Sequence, residues 1–140
     1  MCRRQEGFTL IELITVIILV SIISVTLFSR LGNVSTANLQ ASRDDLIAAL
    51  FFAQQTAMAR SNIQLVLTTN SVSVTENGSP IIVHSNGYPF NFPNGVTTTA
   101  RTLSYDKLGG IIPGTAPVTI ILSASGASAS ITVETTGYAH

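Results

Sequence analysis

Cysteine occurs once, tryptophan not at all, and charged residues make up only 10% of the 140 positions. The lone Cys2 has no partner within the chain, so the fold has to hold by packing and not by disulfides. Seven Lys and Arg balance seven Asp and Glu and are thinly spread. That excludes the clustered positive face from which nucleic-acid binding draws most of its affinity. Histidine stands only at 84 and 140, and no G-x-S-x-G occurs, so the parts of a hydrolase are missing. Asp44 and Asp45 occupy adjacent helix positions that face different ways, and Asp106 has no second carboxylate near it. No metal site, cofactor or enzymatic activity is expected from such a set. Asn33-Val34-Ser35 and Asn77-Gly78-Ser79 match the N-glycosylation pattern but read as turns or caps.

What the chain does have is 46% hydrophobic residues, concentrated in one block. From Phe8 to Phe28 it reads FTLIELITVIILVSIISVTLF, close to the ~20 apolar residues that cross ~30 Å of hydrocarbon as a helix. The Ser and Thr hydroxyls in it can bond back to carbonyls of the preceding turn and cost little in lipid. Glu12 is different, because a carboxylate in such a segment costs a few kcal/mol on insertion scales, ~2.5–3.5 near the helix centre. Two readings stay open on position alone. Glu12 meets a specific cationic partner, or it lies about one turn inside the helix and reaches the headgroups and the positive end of the helix dipole.

Ahead of the block stands MCRRQEG, a short charged leader ending in glycine. It lacks the small-residue cleavage site that follows the apolar region of a secretory signal peptide. Arg3-Arg4 as a twin-arginine signal, and Cys2 as a lipid attachment site, are weaker readings, since the pair runs at once into a full-length span and a lipoprotein cysteine would follow the apolar stretch. Positive charge before the span predicts a cytoplasmic N-terminus, with Arg30 on the far side reducing the asymmetry.

Gly7-Phe8-Thr9-Leu10-Ile11-Glu12-Leu13, after a basic leader and before an apolar helix, resembles the signal of the type IV pilin and type II secretion pseudopilin family. The resemblance implies cleavage between Gly7 and Phe8 by prepilin peptidase and N-methylation of Phe8. It further implies that Glu12 pairs with the N-terminal amine of a neighbouring subunit during assembly. An ammonium and a carboxylate, each costly in an apolar bundle, compensate one another when adjacent, and the pair then fixes axial register. Implied partners are the peptidase, other pilin or pseudopilin subunits, the inner-membrane assembly platform and the inner membrane itself.

Beyond Phe28 the chain continues without proline, with apolar residues at Leu39, Leu46, Leu50, Ala53 and Ala57 flanked by Ile47, Phe51 and Met58. Spacings of three, four and seven predict an amphipathic continuation of the helix to about Ser61. Gly32 and Asn33 predict a weak point or partial break around 29–36. From Ile63 the period changes to that of strands in QLVLTT, SVSVTE and PIIVHS, with the hairpin signal Asn77-Gly78 between the last two. Further strands are expected near Thr102 to Tyr105, at VTIILS from Val118 and at SITVET from Ser130, with a turn around Gly126. That makes about six antiparallel strands. YPFNFPNGV and GGIIPGTAP read as ordered loops whose aromatics plug the end of the sheet.

The expected architecture is α+β: a leader at 1–7, a membrane and assembly helix at 8–28, its amphipathic continuation at 29–61 and a periplasmic β-sheet head at 62–140. Leu103-Ser104-Tyr105-Asp106 with Gly109, and a closing hairpin ending at Gly137-Tyr138, resemble the GspH/FimT group of minor pseudopilins and minor pilins. Within that group the narrower expectation is a subunit for biogenesis of the mannose-sensitive haemagglutinin pilus. A head without cysteines also differs from the many major pilins closed by a C-terminal disulfide. The expected function is a structural subunit, acting in priming or at the tip of a type IV pilus or type II secretion pseudopilus. The alternative is a binding module at such a tip, for a surface, an exported protein or DNA. A plain signal-anchored periplasmic protein is the third reading. The expected location is the bacterial inner membrane, single-pass with the head periplasmic, and afterwards a filament. The signal is shared by pili, secretion systems and competence machinery.

Overall fold

The structure, a computed structural model, describes residues 9–83 and 88–140, with the side chains of 26–35 outside the description. The chain divides into two compact units, Met1–Val34 and Ser35–His140. One helix, α1 (Leu10–Ala59), contributes to both.

In the first unit α1 is an apolar helix with no inner face. Each described residue there is exposed. Thr15, Ser21 and Ser24 donate their hydroxyls to the carbonyls of Glu12, Ile17 and Val20 at 2.8, 2.7 and 2.7 Å, so the polar atoms of the side chains are consumed locally. The expected break at 29–36 is absent: the backbone stays helical through Gly32 and Asn33. A glycine costs only about 1 kcal/mol against alanine in a helix, less than a run of continuous hydrogen bonds on either side can carry.

In the second unit the same helix buries a stripe. Leu39, Ser42, Leu46, Ala49, Leu50, Ala53 and Ala57 are buried at helical spacing, and Ser42 satisfies its hydroxyl on the Asn38 carbonyl at 2.8 Å. The alanines leave room for close approach of whatever packs on them. Arg60 N–H still reaches the Thr56 carbonyl at 2.8 Å, and Asn62, with φ 58°, then turns the chain out of the helix.

The strands are β1 (Ile63–Leu67), β2 (Ser71–Glu76), β3 (Ser79–Pro80), β4 (Phe90–Asn91), β5 (Val96–Thr98), β6 (Arg101–Tyr105), β7 (Ile111–Ile112), β8 (Val118–Ala124) and β9 (Ala127–Val133). The head is antiparallel throughout, as expected, and its strands divide into two sheets. The first runs β3-β2-β1-β6-β7 with β4 also on β2, and the second runs β5-β8-β9. Both sheets and the helix share one apolar core containing Leu46, Leu50, Leu65, Val74, Leu122 and Ile131.

Three local differences from expectation have clear causes. Among its described residues, 80–83, PIIVHS does not extend as a strand: only Pro80 pairs, Ile81 N–H reaches Val74 O at 2.8 Å, and Ile82 and Val83 are exposed. The free edge of β2 is divided between β3, at Thr75 and Glu76, and β4, at Ser71 and Val72, which leaves no ladder for a longer partner. His84, placed within that strand by the sequence, lies outside the described residues. The two proline-rich segments read as loops supply the short strands β4, β5 and β7. Finally, β9 begins at Ala127 instead of Ser130. Ser125 and Gly126 have φ 47° and 84°, a two-residue turn that lets Ala124 pair directly with Ala127. The predicted Asn77-Gly78 turn has the same form, with φ 51° and 82°.

The aromatics of the first loop do plug an end of the core. Phe92 is buried, and Phe52, Tyr88, Phe90 and Phe92 make a chain of ring contacts at 5.2, 6.1 and 5.4 Å. Burial, and then the charge of Asp45, push the Tyr88 phenol above its ordinary value.

Candidate assembly and processing site

The N-terminal signal is the part of the chain to which the sequence assigns chemistry, and the structure describes it from Thr9 onward. Gly7 and Phe8, the expected cleavage and methylation positions, lie outside the described residues. Thr9 is the N-cap of α1. Its carbonyl accepts the Glu12 and Leu13 N–H groups at 3.1 and 3.2 Å, and its hydroxyl lies 3.3 Å from the Glu12 N–H. Thr9-x-x-Glu12 is the capping-box pattern, a signal legible in the sequence. Only one half of the box is made, since the Glu12 carboxylate has no partner among the described residues. Glu12 stays in the first turn of α1, exposed, with its charge at the positive end of the helix dipole.

Around it the surface is aliphatic. Leu10, Ile11, Leu13, Val16, Ile17, Leu19 and their neighbours to Val25 are all exposed, from 40% at Ile14 to 76% at Leu10. A contiguous apolar surface of this kind is stable only against lipid or another apolar partner. Among the described residues no helix is long and apolar enough to cross a membrane. The expected 8–28 span extends at both ends past the described side chains, which run from Thr9 to Val25 and fall short of the ~20 residues a span requires.

Among the described residues no group of three or more His, Cys, Asp or Glu stands close enough to hold a metal ion. Asp106 spends its carboxylate on its own turn, where Oδ1 accepts the Leu108 and Gly110 N–H groups at 2.9 and 2.8 Å. His140 is tied by its backbone to Thr132, at 2.8 and 3.0 Å, and stacks its ring on Tyr138. A groove of about 380 Å³ lies over the outward row Gln64, Ser104 and Ile112, bordered by small polar groups and open to solvent. Tyr105 borders it too, but its strand alternation with Leu103 turns the ring into the core. There the phenol oxygen is buried without a hydrogen-bond partner among the described residues, and burial pushes its pKa well up.

Two glycines that carried the GspH/FimT resemblance have structural work. Gly109, φ 83°, and Gly137, φ 84°, meet at Gln54 of α1. A Cβ on Gly109 would stand 2.6 Å from Met58 Cε and 2.9 Å from Gln54 Cγ, and one on Gly137 would collide with the Gly109 carbonyl oxygen. Gln54 Nε2 donates to the Thr136 carbonyl at 2.9 Å. The helix, the β6–β7 turn and the C-terminal turn are thereby closed on one another. Nothing in the sequence pairs positions 54, 109 and 137, so this contact was not legible there.

Two comparisons bear on what this arrangement is. The prokaryotic N-terminal methylation motif matches residues 2–28. The motif is followed by a long N-terminal helix on an antiparallel β head, a pilin-like fold. Among solved structures the fold is similar to the type IV minor pilin FimU of Pseudomonas aeruginosa, with a TM-score of 0.57 and 16% identity over 75% of this chain and 88% of that one. No curated protein matches the chain in sequence. Pilins are structural subunits, a class generally without enzymatic activity.

Proposed function

We propose that the chain is the precursor of a minor pilin or pseudopilin. Prepilin peptidase removes residues 1–7 by cutting between Gly7 and Phe8 and methylates the new amino group of Phe8. Residues 8–28 hold the subunit in the bacterial inner membrane, 29–61 carry the helix into the head, and 62–140 form the head on the periplasmic side. Extraction into a type IV pilus or type II secretion pseudopilus follows, with a place in priming or at the tip and with no enzymatic step of its own.

The observation that carries this reading is the methylation motif over 2–28 running straight into a helix whose aliphatic side chains remain uncovered from Leu10 to Val25. Such a surface suits lipid before assembly and neighbouring helices afterwards, so the same residues serve both states. Glu12 is the exception within it. In lipid or in a helix bundle its carboxylate requires a cation, and the free amine of a processed neighbour supplies one at matching depth. A subunit out of register leaves both charges unpaired, which makes the pair a register gauge more than a source of stability. The likeness to a minor pilin, and a head among whose residues no cysteine occurs, favour a minor over a major subunit.

Intact mass of the protein from membranes with and without prepilin peptidase tests the processing. Loss of residues 1–7 with gain of one methyl group, in the presence of the peptidase alone, is the expected result. Glu12→Ala is expected to be processed normally yet to fall at least ten-fold in sheared filaments, consistent with an unpaired buried amine costing several kcal/mol. An unprocessed mass in both strains sinks the reading.

A further inference from the structure

We propose that the open edge of β9 pairs with the same edge of a second copy of this chain, antiparallel and about a two-fold axis at Ala129. The three-stranded sheets of the two copies then run on as one. The inference goes beyond the prepilin reading and needs no cleavage.

Strand order leaves β9 at the edge of its sheet. The other edges are short: β3, β4 and β7 have two residues each, and β5 has three, with the Thr98 N–H turned to the Thr69 carbonyl at 2.9 Å. Edges that short offer little to pair with. β9 has seven residues, an unbroken register against β8, and neither proline nor charge. Its outward groups can be assigned. Thr132 exchanges both of its backbone bonds with His140, at 2.8 and 3.0 Å, so its N–H and C=O point away from β8. By the two-residue period, those of Ser130 and Ser128 point the same way. Of these, only the Ser130 carbonyl has a partner among the described residues, the Arg43 Nε–H at 3.3 Å.

The shape of this edge selects the occupant. The open stretch, 127–131, is bounded by the Ser125-Gly126 turn at one end and by the C-terminal segment on Thr132 at the other, and its midpoint is Ala129. An antiparallel copy centred there fills the stretch and meets neither boundary. Ser128 and Ser130 of each copy then exchange N–H and C=O with Ser130 and Ser128 of the other. The side chains at the seam are small, with Ser128 and Ser130 exposed and Ala127 and Ala129 half-buried on the opposite face. Arg43, which reaches this edge, stands beside Asp44 at 3.8 Å. One charge of each sign is complementary to itself across a two-fold axis. The seam is small beside the roughly 800 Å² that each side of a stable complex usually buries. It therefore holds between copies concentrated in one membrane or filament.

The test uses full-length chain carrying Cys2→Ser and one added cysteine, oxidised in the membranes of the cells that make it and read on a non-reducing gel. Across the axis the two residues at 129 form a non-hydrogen-bonded pair with Cα atoms ~4.5 Å apart, within disulfide reach. The two residues at 128 are diagonal, ~8 Å apart, and out of reach. Ala129→Cys is expected to give at least ten-fold more disulfide dimer than Ser128→Cys. Adding Ser128→Lys and Ser130→Lys to Ala129→Cys sets like charges opposite one another and should cut the dimer about five-fold, whereas Ser128→Lys with Ser130→Glu sets opposite charges there and should keep it within about two-fold. Both positions are exposed, so head melting should not change. Equal cross-linking at 128 and 129, none at either, or an adduct only to a different protein overturns the pairing. A chain absent from the membrane fraction counts against the anchoring reading alone, and the same comparison is then read on the chain concentrated in detergent.

Discussion

Leu19 and Leu46 lie on the same helix and are chemically identical, yet one is 59% exposed and the other fully buried. The difference follows from pattern and not from composition. Up to Val25 the helix is apolar on every side, so no rotation about its axis can hide it within one subunit. From Leu39 onward apolar residues recur at three and four, and two sheets cover that stripe. The first region needs an apolar environment from outside the subunit; the second makes its own. The proposed filament role uses both, because the exposed region is what other molecules must cover.

The widest separation between the two regions is expected from one substitution made in each. Leu46→Asp buries an unpaired charge and should abolish cooperative melting of the head, a loss of several kcal/mol. Leu19→Asp should leave that melting within about 0.5 kcal/mol in detergent and instead reduce membrane integration, since an aspartate near the centre of a span costs about 3 kcal/mol on insertion scales. Thermal melts by near-ultraviolet dichroism and a carbonate-extraction assay read the two effects. Equal loss of head stability in both variants would break the comparison.

A smaller effect sharpens what holds the second region. Gly137→Ala and Gly126→Ala both force alanine to φ 84°, but a Cβ at 126 has open space while one at 137 meets the Gly109 backbone. Gly126→Ala should cost about 1 kcal/mol and Gly137→Ala about 2 kcal/mol more, as a shift in the denaturant midpoint at unchanged slope. Equal costs would mean that the Gln54 closure contributes nothing.

The smallest effect concerns Tyr105. Its pKa is raised by burial, so the fold favours the neutral phenol. That stability is complete below the ordinary tyrosine value of about 10 and is lost as pH rises above it. Tyr105→Phe should change neutral-pH stability by less than about 1 kcal/mol, the oxygen having no partner to lose, and should move alkaline unfolding to higher pH. An unchanged alkaline midpoint would remove Tyr105 as the cause.

Much of the secondary structure was legible because its signals are local. Asn77-Gly78 needs two positive φ angles and only a few residue types give them cheaply, so the turn could be read directly. The stripe from Leu39 to Ala57 was readable as period. The short strands β4, β5 and β7 were not, since two or three residues carry no period and their segments are dominated by Pro, Gly and Asn. At the candidate site, the acid in the first turn was plain, whereas the capping role of Thr9 was present as Thr-x-x-Glu and overlooked beside the larger apolar signal.

The sequence by itself determined an apolar helix carrying one acid near its start, an amphipathic continuation, and a β-rich remainder that has to stand without disulfides. These follow from hydrophobic period, turn chemistry and residue counts, which act over a few neighbours at a time. Tertiary structure alone decided that the head has two sheets, that β2 shares its edge between two short strands, and that Gln54 closes on Gly109 and Gly137. Those are contests for one edge, one core and one small space between residues distant in the chain, and no local pattern ranks the competitors.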